Sequence, residues 1–96
     1  MATETVIAFR PHPATVRTTR DLLDQEYTDW AFTVLDHPKR GKMLFAFHTG
    51  GQLGLAGHWT DRGWEVTSDP DFTLAVATSL ARAMRLAIAR LTEIAA

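Results

Sequence analysis

Between Tyr27 and Asp36 the chain alternates, with Trp30, Phe32 and Val34 on one side and Asp29, Ala31 and Thr33 on the other. Successive side chains of a strand point to opposite faces, so this spacing predicts a strand with one buried face. The polar stretch His37-Pro38-Lys39-Arg40-Gly41 predicts a turn, and Lys42 to His48 the next strand. There the alternation is lost, because Met43, Phe45 and Phe47 fill one face while Leu44 and Ala46 fill the other. Such a strand is expected to be covered on both sides.

Gly50-Gly51, between two apolar runs, predicts a two-residue hairpin turn of the primed type, in which glycine supplies a positive φ. Its register sets His48 against Leu53, Phe47 against Gly54, Ala46 against Leu55, Phe45 against Ala56 and Met43 against His58. Gly54 and Ala56 thereby make room opposite two phenylalanines. Trp59 to Trp64 predicts a second hairpin, with Gly63 in the left-handed position after a type I turn, and the strand resumes from Trp64 to Thr67.

The two ends read differently. Val6 to Phe9 is a β-favouring run closed by Arg10-Pro11-His12-Pro13, which predicts a first strand. Thr18, three residues before Asp21, resembles a capping box and predicts a short helix over residues 18–26. At the other end, Ser68-Asp69-Pro70-Asp71 combines a capping residue, a proline at the first helical position and an acid in the first turn. It predicts a helix running unbroken to Ala96. Val76, Ala77, Leu80, Met84, Ala87, Ile88, Leu91 and Ala95 form its apolar stripe, and Asp71, Ser79, Arg82, Arg85 and Glu93 lie opposite. At about 1.5 Å per residue such a helix would be roughly 39 Å long, well beyond a strand of about 20 Å.

These elements predict one α+β domain spanning residues 1–96. A short N-terminal helix leads into an antiparallel meander of about four to five strands, and a long amphipathic C-terminal helix packs across one sheet face. One helix cannot cap both faces of a two-sided apolar sheet, so a homodimer is expected.

Composition narrows the chemistry. Ten basic and eleven acidic side chains leave a formal net charge of -1, so no global field draws the chain to nucleic acid or to an anionic membrane. Cysteine is absent, which excludes a disulfide scaffold, thiolate catalysis and cysteine-ligated zinc together. The opening MATETVIAFRPHP carries Glu4 where an export signal carries positive charge, and no later run approaches the roughly 20 apolar residues of a membrane span. A cytoplasmic protein is expected. Arginine outnumbers lysine eight to two and alanine is the commonest residue, the bias of a GC-rich bacterial or phage genome.

No catalytic or cofactor motif emerges. The glycines at 50, 51, 54 and 57 match neither phosphate-loop spacing, and they lead into a strand where a phosphate needs a helix start. His48 and His58 fall on opposite faces of their hairpin, and His12 and His37 sit beside prolines, so no metal site is expected. Ser68 and Ser79 have no base beside them, and Asp21, Asp24 and Glu26 read as a solvated helix face. The chain therefore reads as a non-enzymatic, protein-binding modulator without metal or cofactor. Trp59 and Trp64, flanking one turn, and Trp30 are the candidate anchors. Arg82, Arg85 and Arg90 offer a mild basic patch for nucleic acid as the alternative, although three arginines neutralise few phosphates. A further alternative is a small-ligand carrier or enzyme with its pocket between sheet and helix.

Overall fold

The computed structural model describes residue 12 and residues 14–51, 53–68 and 72–95; the strand expected at Val6–Phe9 lies outside them. Helix α1 (Ala14–Glu26) is followed by strands β1 (Trp30–His37), β2 (Gly41–His48), β3 (Gly54–Thr60), β4 (Gly63–Ser68) and β5 (Phe72–Ala77), and then by helix α2 (Leu80–Ala95). The five strands form one antiparallel meander in chain order. Helix α1 lies against β1 and β2, α2 lies against β3, β4 and β5, and the helices touch each other.

Both helices cover the same sheet face. Gly57 marks it, since a Cβ there would meet Leu80 Cδ1 at 3.1 Å and Met84 Cε at 3.4 Å. Gly57 pairs with Leu44 and Val66, and the same register places Ala46, Leu55, Phe32 and Ala75 on this side. Val16 and Leu23 from α1 and Leu80, Ala83, Met84, Ala87 and Ile88 from α2 complete one apolar cluster with them. Removing these side chains from water is the main term holding the two layers together. No described helix is long and apolar enough to cross a membrane.

The α+β meander with a C-terminal helix across one face is as the pattern predicts, but the end of the chain divides differently. Phe72–Ala77 is a fifth strand where a continuous helix is predicted. Val76 and Ala77 sit at helical spacing from Leu80, so periodicity alone extends the helix back through them. What decides the matter is an edge: β4 presents free backbone groups, and the aromatic and β-branched residues Phe72, Thr73 and Val76 suit a strand beside it. A register shift at Val66/Thr67 lets consecutive Leu74 and Ala75 both be buried. The helix then starts at a cap of its own, because Ser79 Oγ accepts the Arg82 N–H at 3.3 Å and the Ser79 carbonyl accepts the Ala83 N–H at 3.0 Å. Ser79 is thus a cap and not part of a solvated helix face. The 16 residues of α2 span about 24 Å, close to the strand length, so the predicted overhang does not exist.

Helix α1 also begins earlier than predicted. The Thr18 hydroxyl donates to the Ala14 carbonyl at 2.9 Å from inside the helix and caps nothing. His12 does the capping, its Nδ1 accepting the Ala14 N–H at 3.0 Å and its carbonyl the Thr15 N–H at 2.9 Å. Burial of Val16 and Thr19 against the sheet outweighs the weak helix preference of β-branched residues.

The hairpin registers agree with the pattern, yet one turn is of another kind. Phe47 pairs with Gly54, Ala46 with Leu55 and Phe45 with Ala56. Gly50 and Gly51, however, stay out of the left-handed region, which Gly41 (φ 77°) and Gly63 (φ 116°) occupy. The turn is closed instead by His48, whose Nδ1 accepts the Gly50 N–H at 3.2 Å and whose carbonyl faces the Gly51 N–H at 3.4 Å.

Candidate functional site

The sheet has a second face, and no described element lies on it. Strand alternation assigns it Ala31, Thr33 and Leu35 from β1, Met43, Phe45 and Phe47 from β2, Gly54, Ala56 and His58 from β3, Glu65 and Thr67 from β4, and Val76 from β5. Leu35 is 49% exposed, Phe47 51% and Val76 38%. The Phe45 and Phe47 rings stack with centroids 6.3 Å apart and planes within 7°. Phe47 leans over Gly54, where an added Cβ would lie 3.5 Å from its ring. Met43 is only 3% exposed although it stands apart from the helix-side core. Strand β2 is therefore buried on the helix side and only partly shielded on this one, short of the two-sided cover that its composition predicts.

This face carries little charge. The Glu65 carboxylate accepts from Arg62 Nε at 3.0 Å and lies 2.9 Å from the Thr60 hydroxyl. The Arg62 hydrogen bond holds the acid below the ordinary carboxylate range. Lys42 and Asp36, which alternation puts on the other side, pair with each other at 2.7 Å.

The tryptophans lie on the helix side. Trp30 and Trp64 are 5% and 3% exposed, and Trp59 packs edge-to-face on Trp64 at 5.5 Å while remaining partly open. Trp30 sits against the helices and meets His48 edge-on at 5.2 Å. Their burial accounts for these rings by packing, and with the helices in place Trp30 and Trp64 offer little surface to a partner. On the helix-free face, Leu35 and Val76 are the exposed apolar residues that the sequence reading passed over. Leu35 continues the Ala31, Thr33 side of β1 and could have been found by the same alternation; Val76 was absorbed into a helical stripe.

The three arginines are separated by their bonds. Arg85 grips Glu26 across the two helices through Nε at 2.8 Å and a second nitrogen at 2.5 Å, and this lowers the Glu26 pKa. Arg90 donates to the carbonyl of Leu74, at the bulge of β5 where the ladder is interrupted. Arg82 is exposed on α2.

Three of the four histidines use Nδ1 as a backbone acceptor. Besides His12 and His48, His37 receives the Lys39 and Arg40 N–H groups at 3.1 and 3.0 Å, closing the β1–β2 turn. His58 is the exception: its Nδ1 is buried with no hydrogen-bond partner among the described residues, and burial lowers its pKa. No cluster of residues able to hold a metal ion occurs among the described residues.

Comparison with protein-family models, with curated proteins and with solved structures gives no match for this chain.

Proposed function

We propose that this chain is a protein-binding module that works through the helix-free face of its sheet, and that a second copy of itself is the partner. The carrying observation is the apolar, nearly uncharged surface made by Leu35, Phe45, Phe47, Ala56 and Val76, with its one acid already held by Arg62. Water against such a face is unfavourable, and a partner surface removes it. A copy meeting itself in two-fold symmetry sets like against like, which a face without free charge permits. Size fits as well: five strands about 4.8 Å apart and roughly 20 Å long make a face of about 500 Å², and two such faces about 1,000 Å², the lower bound of specific interfaces.

In this reading the protein acts by association and not by covalent chemistry, as an accessory modulator of a bacterial or phage cytoplasm. The bonding of Arg85 and Arg90 within the fold makes the nucleic-acid reading the weaker one.

Sedimentation equilibrium tests the proposal. The wild-type chain is expected at twice its 10.7 kDa mass, and Phe47→Lys with Leu35→Lys at the single mass with an unchanged circular dichroism spectrum. A wild-type monomer across a hundredfold concentration range, binding no apolar dye, would mean that this face needs no second copy, and the pairing would be abandoned.

A further inference from the structure

We infer that His58 makes closure of this face sensitive to protons, holding two copies together while its imidazole is neutral and separating them when it is charged. The inference rests on the face-to-face pairing above and names its regulation.

His58 pairs with Glu65, Glu65 with Val76, and Leu35 with Met43; continuing the β2–β3 register places Met43 beside His58. These five residues make a row across all five strands, with His58 in the middle. A charge on this ring would sit on the central strand, two residues short of the β3–β4 turn.

His12, His37 and His48 spend Nδ1 on backbone N–H groups at turns or a helix start. The Nδ1 of His58 has no partner among the described residues, and the atom is closed to solvent. The charged ring carries a proton on both nitrogens, so its Nδ1–H would lack an acceptor among the described residues.

The groups facing the ring point the same way, with one exception. Arg40 in the β1–β2 turn and His37 at the end of β1 oppose a positive charge on His58, while Glu65 on β4 favours it. Glu65 is already engaged by Arg62 and Thr60. Met43 and Phe45 on β2 and Val76 on β5 are uncharged. A second copy would add desolvation and bring another His58 to the same interface, so the paired state resists protonation more than the single chain does.

Linkage gives the sign and size. Protons bind the separated chain more readily, hence association weakens as pH falls through the single chain's own His58 value, which burial already sets below 6.5. With two such rings per dimer, Kd is expected to rise severalfold between about pH 7.5 and about pH 5.5.

The experiment is sedimentation equilibrium of the full chain at both pH values, with His58→Gln and His58→Thr beside wild type and each checked for native circular dichroism. Wild type should dimerise tightly at the higher pH and weakly at the lower, and at least one folded variant should dimerise equally at both. A wild-type dimer with unchanged Kd overturns the inference while leaving the pairing intact. So does a folded variant that keeps the full pH dependence, which would assign it to the turn-closing histidines. Absence of any dimer at the higher pH removes the pairing itself, and this inference with it.

Discussion

Gly63→Ala is expected to be among the most damaging single-methyl additions to this chain. The residue has a φ of 116°, and a Cβ built on it would stand 2.8 Å from the Ala77 carbonyl oxygen and 3.4 Å from its carbon. Neither strand can retreat easily, because Ala77 pairs with Trp64, whose ring is 3% exposed beneath α2. Positive φ costs an alanine about 1–2 kcal/mol, and forcing a methyl into occupied space adds about 1–3 kcal/mol, so a loss of about 2–5 kcal/mol is expected. A domain of this size has a total stability of roughly 5–14 kcal/mol. Gly41→Ala supplies the control, since its φ is 77° but nothing lies within 4 Å of the added Cβ. It should lose only the backbone part, about 1–2 kcal/mol. Urea unfolding of wild type and both variants, with slopes compared to ensure a common unfolded state, measures the difference. Equal losses within about 0.5 kcal/mol would show that Ala77 moves aside freely and that the β4–β5 contact is not tight.

Three further outcomes follow from the packing. Trp64→Ala should lose about 3–5 kcal/mol in chemical denaturation, whereas Phe47→Lys, measured in the monomer, should shift the midpoint little. Ser79→Ala should lose about 1 kcal/mol by removing the cap of α2, and Ser79→Asp should restore it. Stability should decline with acid in two stages when unfolding midpoints are followed from neutral pH downward. Below 6.5 the unfolded chain protonates His58 while the fold resists, so stability falls. Near 4.5 the unfolded chain protonates Glu26 and Glu65, which hydrogen bonds from Arg85 and Arg62 keep ionised in the fold, so stability falls again. A single stage confined to the carboxylate range would mean that His58 protonates as easily folded as unfolded.

The hairpins were legible because their signals are local. Alternation at Trp30, Phe32 and Val34 and the small residues opposite Phe45 and Phe47 each depend on neighbours a few positions away or directly across a turn. The β5–α2 division was not legible, because Val76 and Ala77 satisfy the helical spacing to Leu80 and the deciding influence, the free edge of β4, is tertiary. Gly50-Gly51 misled for a related reason: a glycine pair permits positive φ without requiring it, and His48 closes the turn another way. The candidate site was half visible. Phe45 and Phe47 were read as wanting cover, but which of the two sheet faces the helices would choose depends on Gly57, whose missing side chain admits Leu80 and Met84. The tryptophans drew attention as anchors because exposure cannot be read from residue type.

Cross-linking by a single introduced cysteine tests the central claim most directly, since the chain has none of its own. Thr33→Cys places the thiol, exposed, on the helix-free face, and Ala89→Cys places it on the exposed side of α2. Paired sheets lie about 10 Å apart and the edge strand β1 lies up to about 20 Å sideways from its copy, so a long bis-maleimide of about 25 Å spans the thiols in either orientation. Face-to-face pairing predicts a covalent dimer from Thr33→Cys, suppressed when Phe47→Lys is added, and none from Ala89→Cys. Equal cross-linking of the two variants, or cross-linking from Ala89→Cys alone, would contradict it.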